Sequence, residues 1–248
     1  MTTPSSQEPR VAIVTGGSGG IGRAVAERLA SDGMPVVVHY SSNRGLAEEV
    51  VAGIAAAGGS AIAAGGDVAD EADMASLFQV AEQQYGGVDV VVHTAGILKL
   101  STLADLDLDD FDQIVRVNLR GTFVVDQQAV RKVRSGGAIV NFSTSVIRRA
   151  VPTYAAYAAT KGAVDVITMI LAKELKGRDV TVNTVAPGPV ATPMFLGSRD
   201  QAAIDTLASM PALGRLGRPE DIAAIVAFLA GPARWINGQV LYADGGLI

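Results

Sequence analysis

Two side chains four residues apart offer the most definite chemistry in this 248-residue sequence: the phenol and ammonium of Tyr157-Ala158-Ala159-Thr160-Lys161. At helical spacing, positions i and i+4 share a face and lie about 6 Å apart along the axis. A tyrosine near its ordinary pKa of about 10 is a poor base at neutral pH, and a neighbouring ammonium favours phenolate and lowers that value. Such a phenol donates a proton to a nascent alkoxide in reduction, or accepts one in oxidation. A second task open to Lys161 is to anchor the ribose of a nicotinamide. A hydroxyl is also wanted at the carbonyl oxygen, where one preorganised donor is worth about 2.7–4 kcal/mol of barrier. Ser143, Thr144 and Ser145 stand together at a strand end and all three are candidates. Asn118 falls inside a long helical stretch, where asparagine is neutral at best. Either its amide has a chemical task or local backbone satisfies it.

A second group of residues fits a phosphate rather than a proton. Thr15-Gly16-Gly17-Ser18-Gly19-Gly20-Ile21-Gly22 follows a valine-rich run and precedes a helical one. Glycine permits positive φ and close backbone approach. A helix start offers free N–H groups and partial positive charge to a pyrophosphate. Glycines alone are a weak signal, but here the strand–loop–helix context is present. The end of the next strand should face the adenine ribose. It reads Tyr40-Ser41-Ser42-Asn43-Arg44 and holds no carboxylate. An acid there would favour NAD, whereas donors and a cation favour the 2′-phosphate of NADP. The same residues also read as a helix N-cap, and both roles are compatible. Asp67-Val68 follows the third strand, where a carboxylate suits the adenine amino group. His93-Thr94-Ala95-Gly96 ends the fourth, where small residues let backbone lie beside a cofactor.

The elements that must position these groups alternate. Strands are expected at 11–15, 36–39, 61–64, 88–93, 138–143, 180–185 and 239–242. Helices are expected at 21–31, 44–57, 72–85, 111–134, 154–175 and 220–229. Strands apolar on both faces and separated by helices predict a single doubly wound α/β (Rossmann) domain, with a parallel seven-stranded sheet and helices on both faces. One domain over 10–248 is expected, with 1–9 a disordered lead-in. The stretch 187–218 is the longest irregular region, rich in Pro and Gly, and its part from about 188 onward is a candidate lid beyond a strand's carboxyl end. Leu98, Val151, Met194, Phe195 and Leu196 would line an apolar pocket that suits an aldehyde, ketone or acyl chain better than a sugar. They read equally well as core or interface.

Composition closes off other classes. With no cysteine, disulfides and thiolate zinc sites are excluded, and a reducing cytoplasm is compatible. Two histidines make a metal site improbable. A net charge of −5 without a basic cluster argues against nucleic acid. Apolar stretches such as 223–230 are too short to span a bilayer. The first ten residues have no apolar core and do not form a secretory signal.

Together these segments resemble the short-chain dehydrogenase/reductase family over residues 11–246, in the family's motif order. Thr15 to Gly22 matches TGxxxGxG. His93 to Gly96 stands where the family has NNAG and departs from it at the first two positions. Val117-Asn118-Leu119 matches the helix asparagine that supports a proton-relay water, and Tyr157 with Lys161 matches YxxxK. Pro187-Gly188 and Thr192, within Pro187 to Met194, match the segment that contacts nicotinamide. Residues 235–239 and Asp244-Gly245-Gly246 look like the family's C-terminal signature. The family's catalytic serine usually lies 13 residues before the tyrosine, which is Thr144 here. Ser145, followed by Val146, meets its local pattern better and is favoured, with Thr144 retained as the alternative.

The resemblance implies an NADP(H)-dependent oxidoreductase that reduces a carbonyl through a relay of Asn118, Ser145, Tyr157 and Lys161. The cofactor would lie on Gly16, Ser18, Gly19, Gly20, Ile21 and Gly22. It would continue over Tyr40 to Arg44, Asp67, Val68, Thr94 to Gly96, Asn118, Tyr157, Lys161, and Pro187, Gly188, Val190 and Thr192. Substrate would meet Ser145, Val151, Tyr157, Met194 and Phe195. A homotetramer or homodimer, with long helices paired between copies, is implied as well. The rival reading is a non-catalytic dinucleotide sensor or scaffold on the same fold.

Overall fold

Short runs of valine, isoleucine and alanine set the frame, because β-branched side chains fit a pleated surface that is covered on both faces. The computed structural model describes residues 9–197 and 200–248. In it these runs become β1 (Ala12–Thr15), β2 (Val36–Tyr40), β3 (Ala61–Gly65), β4 (Val88–His93), β5 (Val133–Phe142), β6 (Thr181–Pro187) and β7 (Val240–Ala243). All pairings are parallel, in the order β3-β2-β1-β4-β5-β6-β7. Strand order reverses between β1 and β4, so a crevice opens beyond the carboxyl ends of those two strands.

Alternation along each strand divides the core in two. Ala12, Val14, Val36 and Val38 join one apolar cluster, and Val11, Ile13 and Val37 join the other. The first is covered by α1 (Gly20–Ser31), α2 (Arg44–Ala56) and α10 (Pro219–Ala230), through Leu29, Val50, Ile54, Val226 and Leu229. The second is covered by α3 (Glu71–Tyr85) and α5 (Gly121–Lys132), through Met74, Phe78 and Val125. Each fully buried side chain of this size contributes about 1.5–3 kcal/mol.

Three expectations need correction. The helix expected at 111–134 is α4 (Leu108–Ile114), a wider π segment (Val115–Arg120) and then α5. It stops at Lys132 because Arg134 is drawn into β5, where its guanidinium bonds Asp89 at 2.5 and 2.9 Å. The region 187–218 is not mainly irregular. It contains α8 (Pro193–Leu196) and α9 (Gln201–Ser209), and its neck is closed where Ala191 N–H donates to Gly217 O and Gly217 N–H to Pro189 O, both at 2.9 Å. Residues 198 and 199 lie outside the described residues, as do 1–8 of the expected lead-in. Finally, α7 (Ala155–Glu174) has the length and hydropathy of a membrane span, which the short apolar runs did not suggest. It packs on β5 and β6 and carries Lys161 and Asp165. Its outer face exposes Val166, Met169 and Ile170.

Candidate active site

The glycine turn is shaped first by what surrounds it. Gly16 has φ +67°, and a Cβ there would stand 3.0 Å from the Ala95 backbone. A Cβ on Gly22 would collide with Gly16 O and lie 2.5 Å from Thr94 Oγ1. Both positions therefore exclude side chains through internal packing. Gly19 is different, since a Cβ there would meet nothing within 4 Å. Gly19 is the N-cap of α1, with no side-chain cap and no acid in the first turn. Uncapped N–H groups beside open space suit the phosphates of a dinucleotide. Ser18, Gly20 and Ile21 complete the turn, and Thr192 closes over it, its methyl 3.5 Å from a Cβ placed on Gly20.

A knot of hydrogen bonds ties this turn to the end of β4. Thr94 Oγ1 donates to Thr15 O at 2.6 Å, and His93 Nδ1 lies 2.7 Å from Thr15 Oγ1. The departure from NNAG is therefore accommodated by a hydroxyl and an imidazole that perform the tying. On the other side of β1, Asn43 caps α2 by accepting from Leu46 N–H at 3.1 Å, as the N-cap reading expected. Ser41, Ser42 and Arg44 are exposed, and Arg44 pairs with Glu48 at 2.7 Å. Tyr40 lies against Gly65.

Asp67 is more engaged than its sequence role required. It accepts from Ala69 N–H at 2.9 Å and pairs with Arg116 at 2.6 Å. Burial raises its pKa, but Arg116 and Ala69 outweigh burial and hold the carboxyl below its ordinary value. The side chains of Val68 and Val190 are core, so only their backbone can face a ligand.

The reacting groups come together through Gly96. A Cβ there would lie 3.2 Å from Asn118 Oδ1 and 3.6 Å from Lys161 Nζ, and its neighbour Ala95 abuts Gly16. The phenol–ammonium helix is thus joined to the glycine turn through two consecutive small residues. Lys161 is buried and donates from Nζ to Phe142 O at 2.8 Å. Its Nζ stands 6.0 Å from the Tyr157 ring centroid.

Here the structure corrects the expected tuning. Burial, followed by Tyr154, pushes the Tyr157 phenol up to about 12 rather than down. Burial pushes Lys161 down to about 8, against the pull of Asp165. The ammonium is bonded to a strand carbonyl. Asn118 is also committed. Its amide accepts from Ile97 N–H at 2.8 Å and donates to Ile97 O at 2.9 Å, so it braces the loop after β4. The widened π turn at Asn118 is stabilised by Thr122 Oγ1 donating to Asn118 O at 2.7 Å.

The three hydroxyls separate. Ser143 Oγ donates to Lys161 O at 3.2 Å, and Thr144 Oγ1 accepts from Val146 N–H at 3.2 Å. Ser145 is anchored by its backbone, its N–H donating to Pro187 O at 3.0 Å. Its hydroxyl has no partner among the described residues. Gly188 packs on Asp244, where a Cβ would stand 2.8 Å from Asp244 Cα. The substrate side is looser. Ser101 N–H donates to Thr153 O at 3.1 Å, which ties the loop after β4 to the segment before α7, while Met194 and Phe195 sit on α8 beyond Thr192. A cavity of about 240 Å³ lies elsewhere, behind the neck of the excursion, lined by Pro189, Arg215 and Tyr242, and holds none of the candidate reacting groups. Sequence reasoning gave His39 and the Phe142 carbonyl no part in this site, and named Thr15 and His93 only as members of their motifs. Position at a strand end was the available signal for the histidines.

Known proteins share this layout. A family model described as enoyl-(acyl carrier protein) reductase matches residues 16–248. The chain is 43% identical to a short-chain type dehydrogenase/reductase of Picea abies, covering 96% of this chain and 92% of that one. It is 41% identical to NADPH-dependent aldehyde reductase 2, chloroplastic, of Arabidopsis thaliana, over 96% and 94% of the two chains. A short-chain dehydrogenase from Burkholderia cenocepacia J2315 in complex with NADP superposes with a TM-score of 0.90 at 40% identity, over 97% of this chain and 98% of that one.

Proposed function

The chain belongs to the short-chain dehydrogenase/reductase family, and from that premise we propose that it is an NADPH-dependent reductase of aldehydes, ketones or 3-oxoacyl groups. The observation that carries the reading is Gly96, wedged between Asn118 and Lys161 while its neighbour abuts Gly16. It brings the tyrosine–lysine helix to the rim of the glycine turn. A bound nicotinamide would supply the hydride.

The protein's own residues do the rest. Ser145 presents its uncommitted hydroxyl to the carbonyl oxygen. Tyr157, its phenol held high at about 12, stays protonated at neutral pH and donates its proton to the forming alkoxide. A buried cation at Lys161 stabilises the developing negative charge. Asn118 positions the Ile97 loop beneath the site. Preference for NADPH rests on the absence of any acid at 40–44. Arg44 is free to turn to a 2′-phosphate, because its exposed pair with Glu48 is worth little.

Exposed apolar side chains support a second copy as partner: Phe123 on α5, and Val166, Met169 and Ile170 on α7. Sedimentation of the purified chain tests this, and a monomer would reject it. A cytoplasmic location rests on the absence of cysteine.

The test of function is turnover. Protein, NADPH and a panel of aldehydes, ketones and 3-oxoacyl thioesters should show loss of nicotinamide absorbance. Tyr157→Phe should lower kcat by about 100- to 10,000-fold while binding NADPH normally. NADPH binding with no turnover across the panel would favour the sensor reading.

A further inference from the structure

The chain has two histidines, and both are buried at strand ends flanking the start of the glycine turn. His39, on β2, reaches across two loops. Its Nδ1 lies 3.3 Å from Gly16 N, and its Nε2 lies 3.0 Å from Gly66 O. Backbone bonds reinforce both contacts: Gly17 N–H donates to His39 O at 3.0 Å, and Gly66 N–H donates to Tyr40 O at 3.1 Å.

The chemistry of the two partners decides the state of the ring. An amide N–H can only donate, so Nδ1 must accept. A carbonyl can only accept, so Nε2 must carry the hydrogen. One neutral tautomer satisfies both. A second proton, on Nδ1, would set an N–H against the Gly16 N–H. We propose that His39 is a positioning residue, a neutral strut that fixes the spacing of the Gly16 and Gly66 turns, and that its protonation loosens both and weakens dinucleotide binding. The inference rests on the dinucleotide reading above and adds to it a residue and a pH dependence.

The surroundings of the ring support this. Burial lowers the proton affinity of His39, opposed by the Gly66 carbonyl and by Asp67 and Asp73, which face it from the turn after β3 and from α3. From β4 the facing group is His93, held at Thr15 and pushed down to about 3 by burial, then by Lys161 and by His39 itself. His93 therefore holds the same segment from the other side and does not take up the proton in place of His39. Binding should be full through the ordinary histidine range and fall only at more acid pH, because burial moves protonation of His39 below its ordinary value.

The experiment compares the unaltered protein with His39→Asn, which keeps an acceptor near Gly16 but cannot be protonated, and His39→Phe, which keeps neither bond. NADPH dissociation constants are measured from about pH 8 to about pH 5.5, together with amide exchange at Gly16 in nucleotide-free protein. The unaltered protein should weaken a few-fold toward the acid end of that range, His39→Asn should weaken far less, and His39→Phe should bind about tenfold worse throughout, with faster Gly16 exchange. A His39→Asn curve that tracks the unaltered protein would overturn the proposal, as would unchanged Gly16 exchange in His39→Phe. If His39→Phe does not fold, the Asn variant decides. No NADPH binding by the unaltered protein, with Gly16 exchange still accelerated, would overturn the functional reading and the affinity effect while supporting the strut.

Discussion

The turn after β1 and the wall between β5 and α7 border the same crevice and are built in opposite ways. In the turn, Gly16 and Gly22 are enforced by packing, the His39 imidazole and the Thr94 hydroxyl hold backbone, and the His93 imidazole holds the Thr15 hydroxyl. In the wall, the Ser145 hydroxyl and the Tyr157 phenol have no partner among the described residues. Ala150 and Thr153, between them, are held at φ +51° and +72°. Non-glycine residues in that region cost roughly 1–2 kcal/mol each, and such strain gathers where function over-determines the backbone. The contrast teaches a division of labour. A group that all substrates share can be met by a prepaid, rigid cradle. Groups that react must stay uncommitted until substrate arrives.

The largest test of this contrast is at the hydroxyls. Ser145→Ala should lower kcat by about 100- to 1,000-fold with little change in melting temperature, since its hydroxyl supports no structure. Thr144→Val should do the reverse, costing about 1 kcal/mol of stability through the lost contact to Val146 N–H and leaving kcat within a few-fold. If the two results exchange places, Thr144 is the catalytic hydroxyl.

On the cradle side, Gly22→Ala should destabilise the nucleotide-free protein by about 3 kcal/mol, because its Cβ strikes backbone that cannot move aside. Gly19→Ala should leave the nucleotide-free melting temperature nearly unchanged yet weaken NADPH binding. Equal effects of the two on stability would erase the distinction between packing glycines and ligand glycines.

Lys161 sharpens the comparison, as a charged group buried between the two regions. Its value of about 8, below an ordinary 10.5, means the unfolded chain binds more protons between those values. Stability contributed by this group is therefore present above about pH 10.5 and lost as pH falls through about 8. Lys161→Met should stabilise the nucleotide-free protein at pH 7 by up to about 3 kcal/mol, less the lost bond to Phe142 O, while abolishing turnover. Chemical denaturation of both proteins across alkaline pH would show the gap closing. A Lys161→Met protein less stable at pH 7 would contradict the burial argument. The smallest effect is expected at Thr153→Gly, a gain of about 0.5–1 kcal/mol from relieved backbone strain, measured by thermal melting.

Much of this frame was legible in the residues because it depends on local chemistry. Period and punctuation predicted the parallel seven-stranded sheet, and the glycine turn followed from one strand–loop–helix context. The helix expected to run through 134 failed because Asp89, 45 positions earlier, draws Arg134 into a strand. The region after β6 was misread because its closure depends on Gly217 returning to Pro189 and Ala191. Spacing placed Tyr157 and Lys161 on one helix, but could not show that the ammonium would bond Phe142 O or that burial would hold the phenol high.

The sequence by itself determined which residue types face the crevice: glycines after β1, no acid at the end of β2, and a phenol and an ammonium one helical turn apart. Tertiary structure alone decided what each of those groups is bonded to, and hence its proton affinity. Asn118 became a brace, His39 became a holder of backbone, His93 became the partner of the Thr15 hydroxyl, and Lys161 became a buried cation. The reason is physical. Side-chain identity is a local property, whereas burial and hydrogen-bond partners are supplied by strands tens of residues away that only the folded sheet brings together.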